Sequence, residues 1–424
     1  MKKIESTLIK EQAYVEKLEN GLTVILIPKP FTNKKYAIWG TKFGSIDNHF
    51  IVPTTGNEIQ VPDGVAHYLE HKMFEQENGK NSLDVLMSLG VEANAYTTNN
   101  HTAYLFECTN HFHEALAELM NYVQHPYFTD ENVEKERGII GQEIRMYDDE
   151  PSWKLYMNAM ECLYHQNPVR IDIAGTQESI SKINKEILYD CYNTFYHPSN
   201  MVMVVCGNFK PEEMLQEIQS HLIQKPLQSS ITRIYPKEEK GICQKYKEQE
   251  MEVSMPIFMI GFKDETPKQE QVKKHIAIEI LLNMLAGKSS QLYQSLYKQQ
   301  LLFSSLDLDY EFSEQYAHIL IAGQSRDPQK VQEQLLKEIQ RLKENMPEEY
   351  FERIKKKVYG DYVAEYNTVG DIARMFLSDT MKGIQTFDYI EQYASVNIEY
   401  VRKVLLENFD EKNMIMSVIK EKNN

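Results

Sequence analysis

The chain has 424 residues, 42% hydrophobic and 25% charged, the composition of a globular protein long enough for two domains of roughly 200 residues. With 46 basic against 62 acidic side chains its formal net charge is -16, which would repel phosphate backbones and anionic lipid, so no nucleic-acid partner and no membrane partner are expected. The charged opening MKKIESTLIKEQAYVEKLENG has no signal-like apolar stretch, and no apolar run approaches the roughly 18 residues of a membrane span.

Strand-like segments come first, at Leu22 to Ile27 and Tyr36 to Phe43, β-branched or aromatic and bounded by turn residues. Helical patterns follow over Val65 to Glu75 and Ser82 to Leu89, then strands at Ala93 to Thr97 and Thr102 to Cys108. Amphipathic helices are predicted over His111 to Gln124, Glu131 to Tyr147, Trp153 to Tyr164 and Lys185 to Phe195, before a strand at Met201 to Cys206. Strands and helices fall in clusters and do not alternate strictly, which points to an α+β fold over a doubly wound parallel sheet.

The stretch from Gln224 to Gly241 carries Pro, Ser and mixed charge with no apolar period, and reads as a linker. The expected division is a first domain over 1–225, a linker over 226–241 and a second domain over 242–424. Beyond the linker the order recurs: strand Met255 to Phe262, helix Lys274 to Leu285, and strands near Leu306 to Tyr310 and Ala317 to Ile321. Helices Pro328 to Glu344 and Glu348 to Tyr366 follow, and a strand at Asn413 to Ile419 closes the order. Asn200-Met201-Val202-Met203 is echoed by Asn413-Met414-Ile415-Met416, an offset of 213 residues, which suggests two similar domains. Shared apolar composition of two terminal strands is the plainer reading of that echo.

Cys108, Cys162, Cys191, Cys206 and Cys243 are scattered, odd in number and without a CxxC. They argue for reduced thiols and a cytoplasmic location over a disulfide framework or a thiolate metal site.

The segment Gly64 to Phe74 contains His67-x-x-Glu70-His71. On a helix, residues four apart stack on one face, so both imidazoles can reach one ion, and Glu70 flanks that face. Catalytic zinc takes three protein ligands and leaves one position for water, whose proton a nearby carboxylate can accept. The competing reading is a solvated amphipathic turn with two ordinary histidines, against which the apolar flanks Val65, Ala66, Leu69, Met73 and Phe74 speak. A third ligand must come from elsewhere. The helix over Glu131 to Tyr147 offers Glu131, Glu134, Glu136 and Glu143, of which Glu136 and Glu143 share a face two turns apart. That acidic stripe reads equally well as a solvated face beside a core edge. The ten other histidines show no second such spacing.

HYLEH followed by EKERGIIGQEIRMYDDEP resembles the inverted-motif zinc peptidases of the pitrilysin/insulinase type, which include mitochondrial processing peptidase. The resemblance extends through NAYTTNNHTAY and IAGTQESISKINKEILYDCYNTFYHPSNMVMVVCGNF, and is greatest to the soluble bacterial members of Firmicutes type. It implies two similar domains, each a mostly antiparallel sheet packed by helices, that together form half of a clamshell. It implies one Zn2+ per chain, held by His67, His71 and Glu143, with Glu70 as general base and Glu136 behind a ligand histidine. Asn94 and Ala95 fall on what resembles the edge strand to which a substrate peptide adds, although Asn94 reads nearly as well as a strand-end turn residue.

The pattern breaks in the second half. After LAGKSSQL, where active members of that family carry an Arg and a Tyr seven residues apart, this chain has Tyr297 and Ser304. By the 213-residue offset, Ile280 and Met284 stand where His67 and His71 stand, so a second metal site is not expected. The resemblance therefore implies a zinc metalloendopeptidase subunit, acting on small unfolded peptides or peptide precursors, whose partner supplies the Arg/Tyr pair. A heterodimer follows more readily than a homodimer, which would lack the pair. A non-catalytic scaffold or peptide-binding subunit is the alternative.

Overall fold

Along Thr23–Pro28 the apolar side chains serve two cores in alternation: Val24 and Leu26 join one, Ile25 and Ile27 the other. The same period of two separates Ala37 and Trp39 from Tyr36 and Ile38, and Met203 and Val205 from Val202, Val204 and Cys206. Strands apolar on both faces must be covered on both. The computed structural model describes residues 1–422 and resolves how that covering is achieved.

One compact unit comprises Met1–Ile144, Asp172–Tyr235 and Ala364–Phe387. Its strands are β1 (Lys2–Ser6), β2 (Glu11–Lys17), β3 (Thr23–Pro28), β4 (Lys35–Thr41), β5 (His49–Ile51), β6 (Glu58–Gln60), β7 (Glu92–Thr97), β8 (Thr102–Cys108), β9 (Met201–Gly207) and β10 (Thr232–Arg233). Seven of them form a sheet in the order β1-β2-β3-β9-β4-β8-β7, antiparallel except for β3 with β9. Helices Phe112–Gln124 and Pro211–His221 contribute to the core on one face, and helix Val369–Met381 covers the other with Ile372, Phe376 and Leu377.

The other compact unit comprises Arg145–Ile171, Pro236–Val363 and the chain from Asp388. Strands β11 (Tyr246–Met251), β12 (Ile257–Asp264), β13 (Asp307–Phe312), β14 (Ala317–Gln324) and β15 (Met414–Glu421) line up as β11-β15-β12-β14-β13, again with one parallel pair, β11 with β15. That order repeats β3-β9-β4-β8-β7 strand for strand. The echoed tetrapeptides run into β9 and β15, which hold the same place in the two sheets, so the duplication is architectural. The fold is α+β with antiparallel-rich sheets. Ile280 and Met284, on helix Gln271–Ala286, are buried apolar core.

The compact units cut the chain differently from a division at 226–241. Helix Pro151–Leu163 buries Leu155, Ala159, Met160 and Leu163 and packs on β12 and β15, while Val369–Met381 packs on β4 and β9. Each lies in the half of the sequence opposite the sheet it covers, so neither unit is continuous. Nor is 226–241 a free tether. β10 pairs with β5, and Arg233 and Tyr235 both bond Asp47, at 3.0 and 2.6 Å. After Tyr235, Glu238 takes the ammonium of buried Lys263 at 2.6 Å and accepts backbone N–H bonds from His165, Gln166 and Asn167.

Candidate metal centre

Helix Val65–Lys72 begins at Gly64, which holds φ +90°, a left-handed conformation that favours glycine. A Cβ there would strike the carbonyl of Ala174, and one on Gly175 would strike that of Asp63. The two backbones can run this close because both positions lack a side chain, and that contact fixes where the helix starts. Tyr68 and Leu69 anchor one side of it in the core, and the Tyr68 hydroxyl donates to the carbonyl of Val133. His67 and His71 then project from another side, ring centroids 4.6 Å apart.

Facing them is helix Asp130–Asp148, held by Gln177, whose amide donates to the carbonyl of Gly141 at 2.5 Å. It brings Glu143 to both imidazoles: His67 Nε2 lies 3.6 Å from Oε1, and His71 Nε2 lies 3.5 Å from Oε2. One donor atom from each of the three residues falls within a span of 4.8 Å. Two donors about 2.1 Å from a shared ion at a tetrahedral angle stand about 3.4 Å apart, so this set has the spacing and chemistry that zinc takes. Glu136, two turns earlier, receives His71 Nδ1 on Oε1 at 3.0 Å, which leaves Nε2 of His71 as the nitrogen open to an ion.

Electrostatics separate the carboxylates. Burial pushes Glu70 above the ordinary carboxyl range, although His67, His71 and a bond from Thr97 pull the other way. Its contact with His67 holds Glu143 below that range against the opposing effect of burial. Burial would raise Glu136 too, but His71 and Lys72 outweigh it and the group stays low. Burial would lower His71, and the bond to Glu136 with the charges of Glu70 and Glu143 raises it instead. One carboxyl thus holds its proton more readily than an ordinary glutamate, and two hold theirs less readily.

All of His67, Glu70, His71, Glu136 and Glu143 meet in one place. Asn94 and Ala95 lie on β7, which ends the sheet and pairs with β8 alone among the described residues; Asn94 is exposed and its side chain accepts from the N–H of Ala95. Two groups escaped the sequence reading. Thr97, at the end of β7, donates its hydroxyl to Glu70 Oε2 at 2.5 Å. Lys72 is buried behind His71. Thr97 stands inside NAYTTNNHTAY and Lys72 directly after HYLEH, and those positions were the available signal. Tyr297 is exposed on helix Gln291–Lys298, and Ser304 follows that helix. Among the described residues no helix is long and apolar enough to cross a membrane.

The profile of Insulinase (Peptidase family M16) matches residues 56–177, and that of the Peptidase M16 inactive domain matches 182–358. An uncharacterised zinc protease of Bacillus subtilis, YmfH, is 40% identical over 413 residues, 96% of each chain. The crystal structure of an M16-like peptidase from Alicyclobacillus acidocaldarius superposes with a TM-score of 0.93 at 33% identity, covering 99% of this chain and all of that one. Pitrilysin shares the fold at a TM-score of 0.75 and 16% identity, and 98% of this chain spans 45% of it. With matches across both halves of its length, the chain belongs to the M16 (insulinase) family of peptidases.

Proposed function

We propose that this chain is the zinc-holding subunit of a metalloendopeptidase acting on small unfolded peptides or peptide precursors. The observation that carries the reading is the convergence of His67, His71 and Glu143 beside a buried Glu70. These three would hold one Zn2+ per chain. When bound, zinc supplies Lewis acidity, easing the ionisation of water and polarising a carbonyl.

Glu70 acts as the base. It takes a proton from the attacking water and returns it to the leaving amine nitrogen, a double duty suited to a carboxyl whose burial favours the protonated form. Thr97 holds one oxygen of Glu70, which aims the other. Glu136 keeps the His71 ring in one tautomer. A substrate segment adds to the open edge of β7 beside Asn94 and Ala95. Since β7 ends at Thr97, a peptide paired there is led towards Glu70. Main-chain pairing accepts any extended sequence, which fits a peptide substrate class defined by being unfolded.

The groups missing at Tyr297 and Ser304 would come from a related subunit in a heterodimer of half-clamshells. Oxyanion donors of this kind contribute about 3–4 kcal/mol, so the chain alone turns over slowly. The five free thiols support a cytoplasmic, reducing location. The same missing pair favours the second reading, a non-catalytic peptide-binding scaffold, although a scaffold has no use for a base beside three converging ligand groups.

Zinc content and hydrolysis of an unfolded peptide, measured together on the purified chain, test this. One zinc per chain is expected, lost in His67→Ala/His71→Ala and kept in Glu70→Gln, with turnover low until a related subunit is added and absent with Glu70→Gln. No zinc from a replete preparation overturns the metal assignment. Full turnover by the pure chain overturns the shared site, and no turnover with any related subunit leaves the scaffold.

A further inference from the structure

We infer that Lys72 is a positioning residue for the metal centre, acting through Glu136. The inference rests on the reading of His67, His71 and Glu143 as zinc ligands. Lys72 is the last residue of helix Val65–Lys72, and its side chain is wholly buried, with 0% exposure. Tyr68 and Leu69 one turn before it and Met73 and Phe74 after it are all buried. A methionine or leucine would satisfy this packing, and a buried ammonium carries a desolvation cost that apolar packing cannot repay. The lysine must therefore be kept for its charge and for where that charge is held.

Its nitrogen lies 2.8 Å from Glu75 Oε2 and 3.7 Å from Glu136 Oε2. The other oxygen of Glu136, Oε1, takes the bond from His71 Nδ1 at 3.0 Å. Glu136 thus bonds the imidazole through one oxygen and has the ammonium charge within ion-pair distance of the other. A carboxylate engaged at one oxygen can swing about its last torsion, and the ring it holds swings with it. With a buried positive charge drawing its second oxygen to one side, it holds the plane of the His71 ring and the direction of Nε2, which faces Glu143 Oε2. Glu75, half-buried after the helix end, moors the ammonium so that it cannot follow solvent. Lys72 and His71 are chain neighbours, so the lysine reaches the ligand's partner from behind while the ligand reaches the centre from the front.

Zinc affinity, measured by competition with a chromophoric chelator, tests this on the full chain as wild type, Lys72→Met, Glu136→Gln and the double variant, with circular dichroism as the fold control. The expected result is a loss of about 10- to 100-fold in affinity for Lys72→Met, the range found when the partner of a ligating histidine is removed. In the Glu136→Gln background the same change should add no further loss, since its route to the metal is already cut. An affinity unchanged or raised in Lys72→Met overturns the inference, and so does an equal loss in both backgrounds. Should Lys72→Met fail to fold, Lys72→Met/Glu75→Gln removes both charges together. Wild-type affinity in that variant, or its failure to fold, makes Lys72 part of the scaffold and ends the proposal. A wild-type chain that binds no zinc at all is a different result, because it removes the parent reading.

Discussion

Thr97 shows how one hydroxyl can orient a buried carboxyl group. Its Oγ1 stands 3.2 Å from that of Thr102, whose own proton goes to the carbonyl of Phe43 at 2.9 Å, and of the two acceptors open to the Thr97 proton the Glu70 oxygen is nearer, at 2.5 Å. Replacing Thr97 by Val keeps the shape and removes the donor. In the assembly that turns over peptide, kcat should fall about 10-fold with KM and zinc content little changed, and Thr97→Ser should recover it. A Thr97→Val enzyme with wild-type kcat would show that Glu70 is aimed by its burial alone. The residues of the centre were unequally legible in the sequence. His67, Glu70 and His71 sit within one turn and a half of a helix, so their juxtaposition is a local fact that spacing reveals. Glu143 was one of four glutamates on its helix; choosing it required the facing helix, which spacing does not supply. Thr97 is 27 positions from Glu70 and meets it across a strand–helix contact, and Lys72 reads as a solvated helix-end lysine until the burial of its surroundings is known.

At the scale of elements, the start of the site helix is the critical joint. Gly64 and Gly175 let the segments at 63–64 and 174–175 pass backbone against backbone, and Thr176 then caps the short helix Gln177–Ile180 whose Gln177 holds the Glu143 helix. The two helices that carry the candidate ligands are therefore set by one contact. Gly64→Ala places a methyl against the Ala174 carbonyl at a left-handed φ, a strain of about 1–3 kcal/mol before any clash. A lower urea midpoint and less zinc per folded chain are expected together, and a variant with wild-type values of both would mean that the joint yields freely. Period and caps made several elements readable: helix Lys185–Phe195 and helix Pro328–Glu344 run where their patterns predict. The helix expected to reach Glu75 stops at Lys72, because Glu75 forms a β-bridge with Asn81. Strands β1 and β2 had no readable signal, since KKIES carries the charges that a sheet edge uses to discourage further pairing and EQAYVEK beside it is also charge-rich, so both resemble loops.

Across the whole molecule, the recurring order of elements announced two similar sheets, but which helix covers which sheet was not legible. Helices Pro151–Leu163 and Val369–Met381 are apolar enough to cover any sheet face, and nothing in their sequences selects a sheet from the opposite half of the chain. Each unit also buries histidine away from the candidate metal centre, His101 and His197 in the first and His318 in the second, and these contribute to how the fold responds to acid. His101 in the first unit and His318 in the second are both pushed down to about 4, chiefly by burial. The charge of Lys382 adds to the effect at His101, whereas Asp309 and Asp264 oppose it at His318, with Glu311 Oε2 lying 3.7 Å from its Nε2. Unfolding returns each imidazole to its ordinary value near 6.5. Between those values the unfolded chain binds protons that the folded chain refuses, so stability is full above pH 6.5, falls as pH drops towards 4 and levels off below it. The slope is on the order of 1 kcal/mol per pH unit for each histidine. Urea midpoints of the His67→Ala/His71→Ala chain between pH 7 and 5 check this without titration of the site histidines. Adding His318→Gln should flatten the dependence, whatever it does to stability at pH 7. Parallel slopes with and without that change would mean that His318 takes up its proton in the folded protein at no cost, and the burial that Tyr164 and the second sheet impose on it would then be looser than its 2.9 Å bond to the Tyr164 hydroxyl implies.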